Sequence, residues 1–457
     1  MITALSELSM LVRNIDTLRI VGEVSAITGL SLTVSGLERA MGIGQRCLIH
    51  GKQKIILGEV VGIDSQGTRV LPFGTWDGVA VGDAVELSSY GDIIRPDPSW
   101  VGRVMDALGK PLDNKGPLFE GTKPQSLKTA PIPAFDRRRV GERLESNIKT
   151  VDIFTPICRG QRMGVFAGSG VGKSTLMAMF ARNGQADVIV VGLVGERGRE
   201  VQDFIQEDLG EEGMKRTVLV VSTGDEPPLM RRQAAWTAMA VAEYFRDQGK
   251  QVLLLLDSVT RFAMAQREIG LSGGEPPTAK GYPPTVFSEL PRLLERAGPG
   301  PDGAGDITGL FTVLVDGDDL NDPIADSVRG ILDGHIVLDR SIAERGRYPA
   351  INIQKSISRM LPDCHSPAEY AVLQAARSAL AVYNDMEELI RIGAYKSGTD
   401  PMIDAAIRFF ALSEAFLSQR KSEGMIADYS FAEIYKLLGE AAIKVDLPTQ
   451  HPAPSEG

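Results

Sequence analysis

The sequence contains few cysteine, histidine and aromatic residues. Its 457 residues include three cysteines, four histidines and 6% aromatic side chains. Cys47, Cys158 and Cys364 stand far apart and are odd in number, so they provide no disulfide framework and fit a reducing compartment. We interpret all three as small, mostly buried residues. Cys364 is followed by His365, but no second pair stands at zinc spacing, so we expect no transition metal held by protein ligands.

Long apolar runs are also missing. The longest, "VIVVGLV" at 188–194 and "VLLLL" at 252–256, have the length of buried strands, whereas a membrane-spanning helix needs about 20 apolar residues. The first residues, "MITALSELSMLVRNID", lack the basic region and the uninterrupted apolar stretch of a secretory signal. We therefore expect a cytoplasmic protein whose contact with a membrane is peripheral.

The chain has no excess of positive charge. It carries 49 lysines and arginines against 59 aspartates and glutamates, for a formal net charge of -10. Broad binding to nucleic acid requires a basic surface that displaces counterions. We therefore expect no nucleic-acid partner. The length of 457 residues favours two or three domains over one.

The first part of the chain predicts a helix, a small barrel and a linker. Residues 1–18 place apolar side chains at helical spacing, and this amphipathic helix either packs on its own domain or docks on a partner. Residues 19–95 contain short β-rich runs separated by Gly, Ser and Asp, which predict a small closed β-barrel. Residues 96–146 are rich in Pro, Gly and charge and predict a linker that wraps onto the next domain.

The rest of the chain predicts an α/β domain followed by helices. Over residues 147–365, strand-length apolar runs alternate with helical segments, which indicates a largely parallel sheet with helices on both faces. Residues 366–447 predict a helical domain, and residues 448–457, "TQHPAPSEG" preceded by Pro448, predict a disordered tail.

The segment "AGSGVGKS" at 167–174 fits the phosphate-binding pattern A/G-x-x-x-x-G-K-[ST]. It lies between a predicted strand and a predicted helix, where glycines let backbone N–H groups face phosphate oxygens and the helix dipole favours an anion. Lys173 is suited to neutralise the β and γ phosphates, and the hydroxyl of Ser174, or else of Thr175, to bind Mg²⁺; the register favours Ser174. The predicted nucleotide-binding residues of this loop are Gly168, Ser169, Gly170, Val171, Gly172, Lys173, Ser174 and Thr175.

Two carboxylates follow predicted buried strands, and carboxyl ends of parallel strands meet at one sheet edge. Asp257 ends the run "VLLLLD", and we expect it to coordinate Mg²⁺ through water; the alternative is a cap for the next helix. Glu196 follows "DVIVVGLVG" and is placed to accept a proton from the attacking water. Spacing alone leaves open that Glu196 is a surface charge in an arginine-rich turn.

Several segments together resemble the rotary-type P-loop ATPases, which include the catalytic β subunits of F-type ATP synthases and their secretion-system relatives. Among these, the resemblance is strongest to the flagellar branch of the type III protein export ATPases, and it covers nearly the whole chain. The segments are "GSGVGKST", "GERGREV", "LLLLDSVTRFAMAQREI", "GGEPPTAKGYPPTVFSELPRLLERAG", "VDGDDLNDPIADSVRGILDGHIVLDR", "GRYPAIN" and "SISR".

The resemblance implies a RecA-like parallel-sheet core with an N-terminal β-barrel and a C-terminal helical domain, and it implies roles for individual residues. Glu196 opens the motif "GER" and becomes the catalytic carboxylate, with Arg197 as its catalytic neighbour. Arg359, in "SISR", corresponds to the arginine that a neighbouring subunit inserts at the γ-phosphate. Tyr348 corresponds to the aromatic residue that stacks on adenine. Ala167 replaces the commoner glycine, and we expect little effect.

The resemblance also implies the work for which ATP and Mg²⁺ are used. It implies a homohexamer with active sites between subunits, which hydrolyses ATP to deliver and unfold flagellar export substrates and release them from chaperones. The implied partners are a stator-like negative regulator on the N-terminal helix, a central coiled-coil stalk near the irregular stretch 272–284, export-gate membrane proteins, and chaperone–substrate complexes. The implied location is the cytoplasmic side of the inner membrane at the flagellar base.

Three related functions and one non-enzymatic function compete with this interpretation. They are the ATPase of a virulence-type injection apparatus, the catalytic subunit of a rotary ATP synthase, an RNA-translocating ring, and a structural ring subunit without hydrolysis. The acidic balance argues against the RNA-translocating ring. The joint presence of Glu196, Lys173 and Asp257 argues against the structural ring subunit.

Overall fold

The computed structural model describes residues 19–88, 91–315 and 322–447. The predicted helix at 1–18 and the predicted tail at 448–457 lie outside the described residues. The described chain divides into two compact units. One contains the residues up to Ile93 with Glu226–Met230 and Met264–Val286, and the other contains the remainder.

The N-terminal strands form a closed barrel, as the sequence predicts. Their order around the barrel is β1-β2-β5-β4-β3-β6. Every second residue of β2 and β3 is buried, so one face of each strand fills the barrel core and the other meets solvent. Gly29, at φ +57°, lies in the short β1–β2 turn, a backbone conformation that glycine adopts without strain. The strands are β1 Val21–Thr28, β2 Ser31–Ser35, β3 Arg46–His50, β4 Ile55–Asp64, β5 Gly67–Pro72 and β6 Ala84–Leu87.

A largely parallel sheet forms the centre of the second unit. Its strand order is β19-β18-β12-β17-β15-β13-β14-β8, with β16 paired antiparallel to β17 and β19 paired antiparallel to β18. The strands are β8 Val104–Asp106, β12 Arg162–Ala167, β13 Val188–Glu196, β14 Thr217–Thr223, β15 Gln251–Asp257, β16 Gly298–Pro299, β17 Asp306–Leu314, β18 Gly334–Val337 and β19 Ile357–Ser358; the short strands outside this sheet are β7 Ile93–Ile94, β9 Gln125–Ser126, β10 Arg143–Leu144 and β11 Ile157–Cys158. The α/β P-loop fold class is confirmed.

The sheet includes a strand from a segment that the sequence did not assign to it. β8 comes from the segment interpreted as a linker and adds to β14 in parallel. A strand of three residues carries too few positions to show an alternating pattern, which is why a Pro- and Gly-rich stretch concealed it. The domain boundaries drawn from the sequence stay predictions.

Helices follow most strands of the sheet. α2 begins directly after the phosphate-binding loop, and its apolar side chains pack into the same core as β12, β13, β15 and β17. The helices of this part are α1 Lys149–Phe154, α2 Lys173–Asn183, α3 Gly198–Asp203, α4 Gly210–Met214, α5 Pro228–Arg246, α6 Val259–Gly273, α7 Pro284–Leu294, α8 Pro323–Ile331 and α9 Arg340–Glu344, with a π-helical turn at Phe204–Leu209 and 3₁₀ turns at Pro98–Trp100 and Ala279–Gly281. α6 extends to Gly273, so the first two residues of the stretch predicted to be irregular are helical.

The C-terminal helices are α10 Pro367–Arg391, α11 Pro401–Leu417 and α12 Ala427–Glu440. Ser366 and Glu369 form a capping box at the start of α10, in which each side chain bonds the other residue's backbone N–H. A separate apolar core, with Phe409 and Ile434 fully buried, holds the three helices and α1 together. Among the helices of the described residues, none is long and apolar enough to cross a membrane.

The cysteines agree with their interpretation as small, mostly buried residues. All three are free, with Cys47 and Cys158 buried and Cys364 partly exposed. Although 206 positions separate them along the chain, Cys158 and Cys364 lie close together, and the Cys364 side chain and burial raise the pKa of the Cys158 thiol. The fold thus joins two thiols that chain order keeps apart.

Candidate functional site

The phosphate-binding loop joins β12 to α2. Gly170 and Gly172 have φ values of +77° and +95°, which other residues adopt only with strain. No side chain caps the N-terminus of α2, where Gly172 is the capping residue. The first-turn N–H groups of a helix have no intrahelical partners. The loop therefore offers open backbone donors to an anion, as its sequence predicts.

Lys173 lies between the two predicted carboxylates. Its Nζ is 2.5 Å from Asp257 Oδ1 and 3.2 Å from Glu196 Oε1. Burial disfavours the charged amine, but the carboxylates of Asp257 and Glu196 outweigh this and raise the pKa of Lys173 above its ordinary value. The structure therefore brings together the three residues that the sequence proposed for phosphate, metal and water.

Asp257 is held by a further residue from the neighbouring strand. Thr312 in β17 donates its hydroxyl to Asp257 Oδ1 over 2.7 Å. The Asp257 side chain is only 7% exposed, so this bond fixes its rotamer away from bulk water. Asp257 contacts Lys173 and Thr312, and these contacts favour the metal interpretation over a helix cap. Sequence reasoning missed Thr312, because a threonine inside a strand carries no motif.

Glu196 points to Lys173 because β13 contains a bulge just before it. The register with β14 shifts between Val194 and Glu196, and Gly195 has a φ of +73°. A β-bulge adds one residue to a strand and redirects the next side chain. A Cβ on Gly195 would lie 3.0 Å from the Cβ of Arg261, so a larger residue meets both strain and a close contact. Gly195 is a second residue that the sequence analysis did not identify.

The protonation of Glu196 is set by its surroundings. Burial, and then the nearby charge of Asp257, raise the pKa of Glu196 to about 7, against the lowering effect of Lys173. A hydrogen bond to Glu196 lowers the pKa of Glu200, which takes the charged role in that pair. A carboxyl group that titrates near neutral pH is suited to exchange a proton with water.

A cavity of about 480 Å³ lies beside α2. Tyr348, 43% exposed, forms one wall, and its ring carbons lie 3.5 and 3.6 Å from the position of a Cβ on Gly172. Residues 418–421 also line the cavity and are tied to Tyr348, whose backbone carbonyl accepts a hydrogen bond from the N–H of Gln419. The cavity suits a flat base that continues from the phosphate loop, which agrees with the predicted role of Tyr348.

Other predicted residues occupy more exposed positions. Ser174 is exposed at the start of α2, and Thr175 lines the Tyr348 cavity. The hydroxyl of Ser174 and the carboxylate of Asp257 fit Mg²⁺, which usually takes one or two carboxylates together with waters and substrate phosphates. The described residues contain no cluster of three or more His, Cys, Asp or Glu side chains able to hold a metal alone. A divalent ion here would depend on the phosphates.

Two arginines near the phosphate loop differ in their contacts. The side chain of Arg197 is 84% exposed and lies 3.4 Å from Glu200, so the structure does not bring it against Lys173. Arg340, in α9, donates its Nη2 to the carbonyl of Ser169 over 3.0 Å and braces the loop. Arg340 was not predicted, because it is far from the loop in sequence and the two segments meet only in the folded chain.

Arg359 lines a different cavity from Tyr348. It follows β19 at one edge of the sheet, its side chain is exposed, and it lines a cavity of about 1180 Å³. This cavity is lined by six arginines and four carboxylates: Arg137, Arg138, Arg139, Arg143, Arg162 and Arg359, with Glu142, Glu295, Asp333 and Asp363. Within one chain, Arg359 is therefore not assembled with the phosphate-loop residues.

The chain resembles known protein families over most of its length. Residues 147–358 match the ATP synthase alpha/beta family, nucleotide-binding domain. Residues 365–436 match the T3SS EscN ATPase C-terminal domain. The first match contains the phosphate loop, Glu196 and Asp257, and the second contains the three C-terminal helices apart from the end of α12.

The similar proteins are named for flagella and for type III secretion. The chain is 54% identical over 433 residues to a flagellum-specific ATP synthase of Caulobacter vibrioides, covering 93% of this chain and 98% of that protein. It is 46% identical to the flagellum-specific ATP synthase of Bacillus subtilis, covering 93% and 96%. The assembled ATPase EscN of the enteropathogenic E. coli type III secretion system aligns with a TM-score of 0.85 and 39% identity, covering 91% of this chain and all of that one. EscN in complex with its central stalk EscO aligns with a TM-score of 0.82.

Proposed function

Because the chain belongs to the flagellum-specific ATP synthases of the ATP synthase alpha/beta family, we propose that it hydrolyses ATP to drive flagellar type III protein export. The observation that carries this proposal is the cluster of Lys173, Glu196 and Asp257 beside an open phosphate loop. The cluster contains a cation for phosphates, a carboxylate for a metal and a carboxyl group suited to water.

The residues divide the chemistry of phosphoryl transfer among themselves. When ATP binds, Lys173 leaves its carboxylate partners for the β and γ phosphates, because carboxylates and phosphates are both anions and compete for the one ammonium group. Glu196, released from Lys173, orients the attacking water and accepts its proton. Mg²⁺, held by Ser174 and through water by Asp257, would supply further neutralisation of phosphate charge. Tyr348 packs on the adenine in the cavity that it lines.

The position of Arg359 supports an active site shared between subunits. The transition state of phosphoryl transfer needs positive charge beyond the phosphate-loop lysine, and Arg359 lies on a separate cavity of its own chain. We place Arg359 at the γ-phosphate of a neighbouring subunit in a homohexamer, and we keep Arg197 as the catalytic neighbour of Glu196. The assembled form of the similar ATPase EscN supports this arrangement.

Further partners follow from the same family. The complex of EscN with EscO supports a coiled-coil stalk protein at the ring's centre, and we assign its contact to the irregular part of 272–284. We assign residues 1–18 to a stator-like negative regulator and the C-terminal helices to chaperone–substrate complexes. Export-gate membrane proteins would hold the ring peripherally at the cytoplasmic face of the inner membrane, at the flagellar base.

One alternative is favoured by a specific observation. The C-terminal helices match the domain of EscN, which belongs to a virulence-type secretion system. Against it, the flagellar protein of Caulobacter vibrioides is 54% identical, whereas EscN is 39% identical. Restored swimming of a flagellar ATPase deletion strain by this chain would favour the flagellar function, and restored secretion of injected proteins alone would favour the other.

The decisive test is ATPase activity measured against protein concentration for the wild type, Glu196→Gln and Arg359→Ala. We expect specific activity to rise with concentration in the wild type and to collapse in both variants while nucleotide binding survives. Arg391→Ala removes an exposed arginine at the end of α10 and is the matched control. A concentration-independent activity that Arg359→Ala leaves intact would mean a self-contained site and would overturn the shared-site ring.

A further inference from the structure

The position of Arg359 depends on the short strand that precedes it. Among the described residues its guanidinium makes one long contact, 3.4 Å from the carbonyl of Arg329, and the residue is exposed. Its backbone N–H donates to the carbonyl of Asp333 over 3.0 Å. β19 contains only Ile357 and Ser358, so two ladder positions on β18 set the direction in which Arg359 leaves the sheet.

The side chain of Gln161 reaches this strand from inside the protein. Gln161 is fully buried in the turn between β11 and β12. Its Oε1 accepts from the N–H of Cys158 over 2.8 Å. Its Nε2 donates to the carbonyl of Asp333 over 3.0 Å and to the hydroxyl of Ser358 over 3.2 Å. Gln161 therefore holds the carbonyl that anchors the Arg359 N–H and also the residue just before Arg359.

A buried amide with both ends satisfied is a rigid connector. Its hydrogen bonds act in a low-dielectric interior, where leaving one unmade costs more than in water. The carbonyl of Asp333 accepts hydrogen bonds from the Gln161 amide and from the Arg359 N–H. A shift of the glutamine side chain therefore moves this carbonyl and, with it, the backbone of Arg359. Gln161 also immediately precedes β12, the strand that ends in the phosphate loop of the same subunit.

From these contacts we propose that Gln161 is a positioning residue for Arg359, which it holds by way of Asp333 and Ser358. The proposal rests on the proposed function, in which Arg359 serves the site of a neighbouring subunit. On this assignment, loss of the Gln161 amide damages the neighbour's site and spares nucleotide binding at its own phosphate loop. A residue that only maintains the β11–β12 turn would damage its own site instead.

The first test compares Gln161→Leu, which removes the amide at similar volume, with Ser358→Ala, which removes only the accepting hydroxyl. A displacement of about 1 Å at a catalytic group lowers rates by roughly 100-fold, so we expect kcat to fall by about 10- to 100-fold in Gln161→Leu. In Ser358→Ala, kcat should fall by a smaller factor. In both variants the Kd for a fluorescent ATP analogue should stay at the wild-type value. A weakened Kd with unchanged kcat would contradict the proposal.

Gln233→Leu is the matched control for removing a buried glutamine. Gln233 lies fully buried in α5, and no hydrogen-bond partner of its amide is found among the described residues. Its replacement should leave kcat and KM unchanged. Thermal melting of every variant shows whether the chain remains folded; if Gln161→Leu does not fold, the kcat and Kd of Ser358→Ala decide the matter.

A mixing experiment distinguishes a damaged neighbour from a damaged own site. Glu196→Gln has an inactive site but an intact Arg359. Mixed with Gln161→Leu, it should form some sites with the phosphate loop of one variant and the well-placed arginine of the other. Activity should then exceed the sum of the two variants measured alone. No gain in this mixture would overturn the role assigned to Gln161, provided that the reference mixture below regains activity.

The reference mixture combines Arg359→Ala with Glu196→Gln, which complement each other only if active sites are shared. A gain there, with none for Gln161→Leu, removes the role of Gln161 and keeps the proposed ring. No gain in the reference mixture overturns the shared site itself. The two proposals therefore fail in different ways.

Discussion

Two charged regions of the second unit differ in how they balance their charges. At the phosphate loop, one buried lysine is shared by two carboxylates within 3.2 Å, and each group finds its partner inside the chain. At the Arg359 cavity, Arg138, Arg143 and Arg162 are paired with carboxylates. Arg359 is exposed, and among the described residues its guanidinium has only a long contact with a backbone carbonyl. The lysine of the first region is already paired within the chain, whereas Arg359 in the second region leaves its positive charge open to an anion from outside. This contrast fits the proposal that one chain supplies a phosphate-loop site and, separately, an arginine for the site of a neighbouring subunit.

The largest effect should separate binding from turnover. Lys173→Ala leaves Glu196 and Asp257 without their buried cation and removes the phosphate ligand, so both nucleotide binding and hydrolysis should be lost. Arg359→Ala should lower kcat by about 10³-fold or more and keep nucleotide binding, because an arginine supplied by a neighbour acts on the transition state. Equilibrium binding of an ATP analogue and steady-state kinetics measure the two. Equal loss of binding in both variants would erase the contrast between the regions.

A second effect concerns pH. Because the pKa of Glu196 is raised to about 7, the free enzyme loses its base as pH falls through that value, and kcat/KM should decline on the acid side. Linkage has the opposite sign for folding: a raised carboxyl pKa stabilises the folded state most below the ordinary value of 4.5, and this contribution is lost as pH rises toward 7. Glu196→Gln should therefore melt at a higher temperature than the wild type at neutral pH.

Glu200 provides the control for this pH dependence. It hydrogen-bonds Glu196, and this bond raises the pKa of Glu196. Glu200→Ala should move the acid limb of the kcat/KM profile to lower pH without abolishing turnover. Arg359→Ala, on the other cavity, should leave the position of the limb unchanged. If Arg359→Ala moved the acid limb and Glu200→Ala did not, the assignment of this limb to Glu196 would be wrong.

A smaller effect is expected at the base cavity. Stacking between an aromatic side chain and a base contributes about 1–3 kcal/mol, so Tyr348→Ala should raise the KM for ATP by about tenfold or somewhat more, with little change in kcat. Tyr348→Phe keeps the ring and should behave like the wild type. A fall in kcat with an unchanged KM would indicate that Tyr348 acts in the chemical step and not in nucleotide binding.

The smallest effect is expected for Thr312→Val. The substitution removes a hydrogen bond to Asp257 at nearly constant size, and one such bond to a charged group is worth about 1.5–3 kcal/mol at most. Since the strand Gln251–Asp257 still places Asp257 at the edge of the sheet, we expect a loss of only several-fold in activity, seen as a higher Mg²⁺ concentration for half-maximal rate. An unchanged Mg²⁺ requirement would argue that Thr312 serves packing alone.

Sequence reasoning identified the parts of the site that are local in the chain. The phosphate loop is one contiguous motif, and Glu196 and Asp257 were identifiable because each ends an apolar run whose partner strands meet at one edge. The barrel was predictable because polar and glycine-rich turns separate its strands. Arg197 and Arg359 came from family resemblance, and their catalytic roles stay predictions.

What the sequence concealed are contacts between distant segments. No motif marks Thr312, Arg340 or Gln161. Each acts through side-chain hydrogen bonds to a segment that is distant in sequence. Gly195 looked like any glycine in an apolar run, because the bulge that needs it appears only when β14 is paired. Cys158 and Cys364 likewise meet only in three dimensions.

The short strands at the two ends of the large sheet affect which molecules the protein attracts. A long, flat edge strand exposes unpaired backbone groups that pair with almost any other extended chain and lead to aggregation. Here the ends are β8, with three residues, and β19, with two. So few free backbone groups make a poor template for strand addition. At the edge formed by β19, association therefore depends on side-chain charge and shape, which discriminate between partners. A high concentration of the chain then need not lead to fibres that grow from this edge.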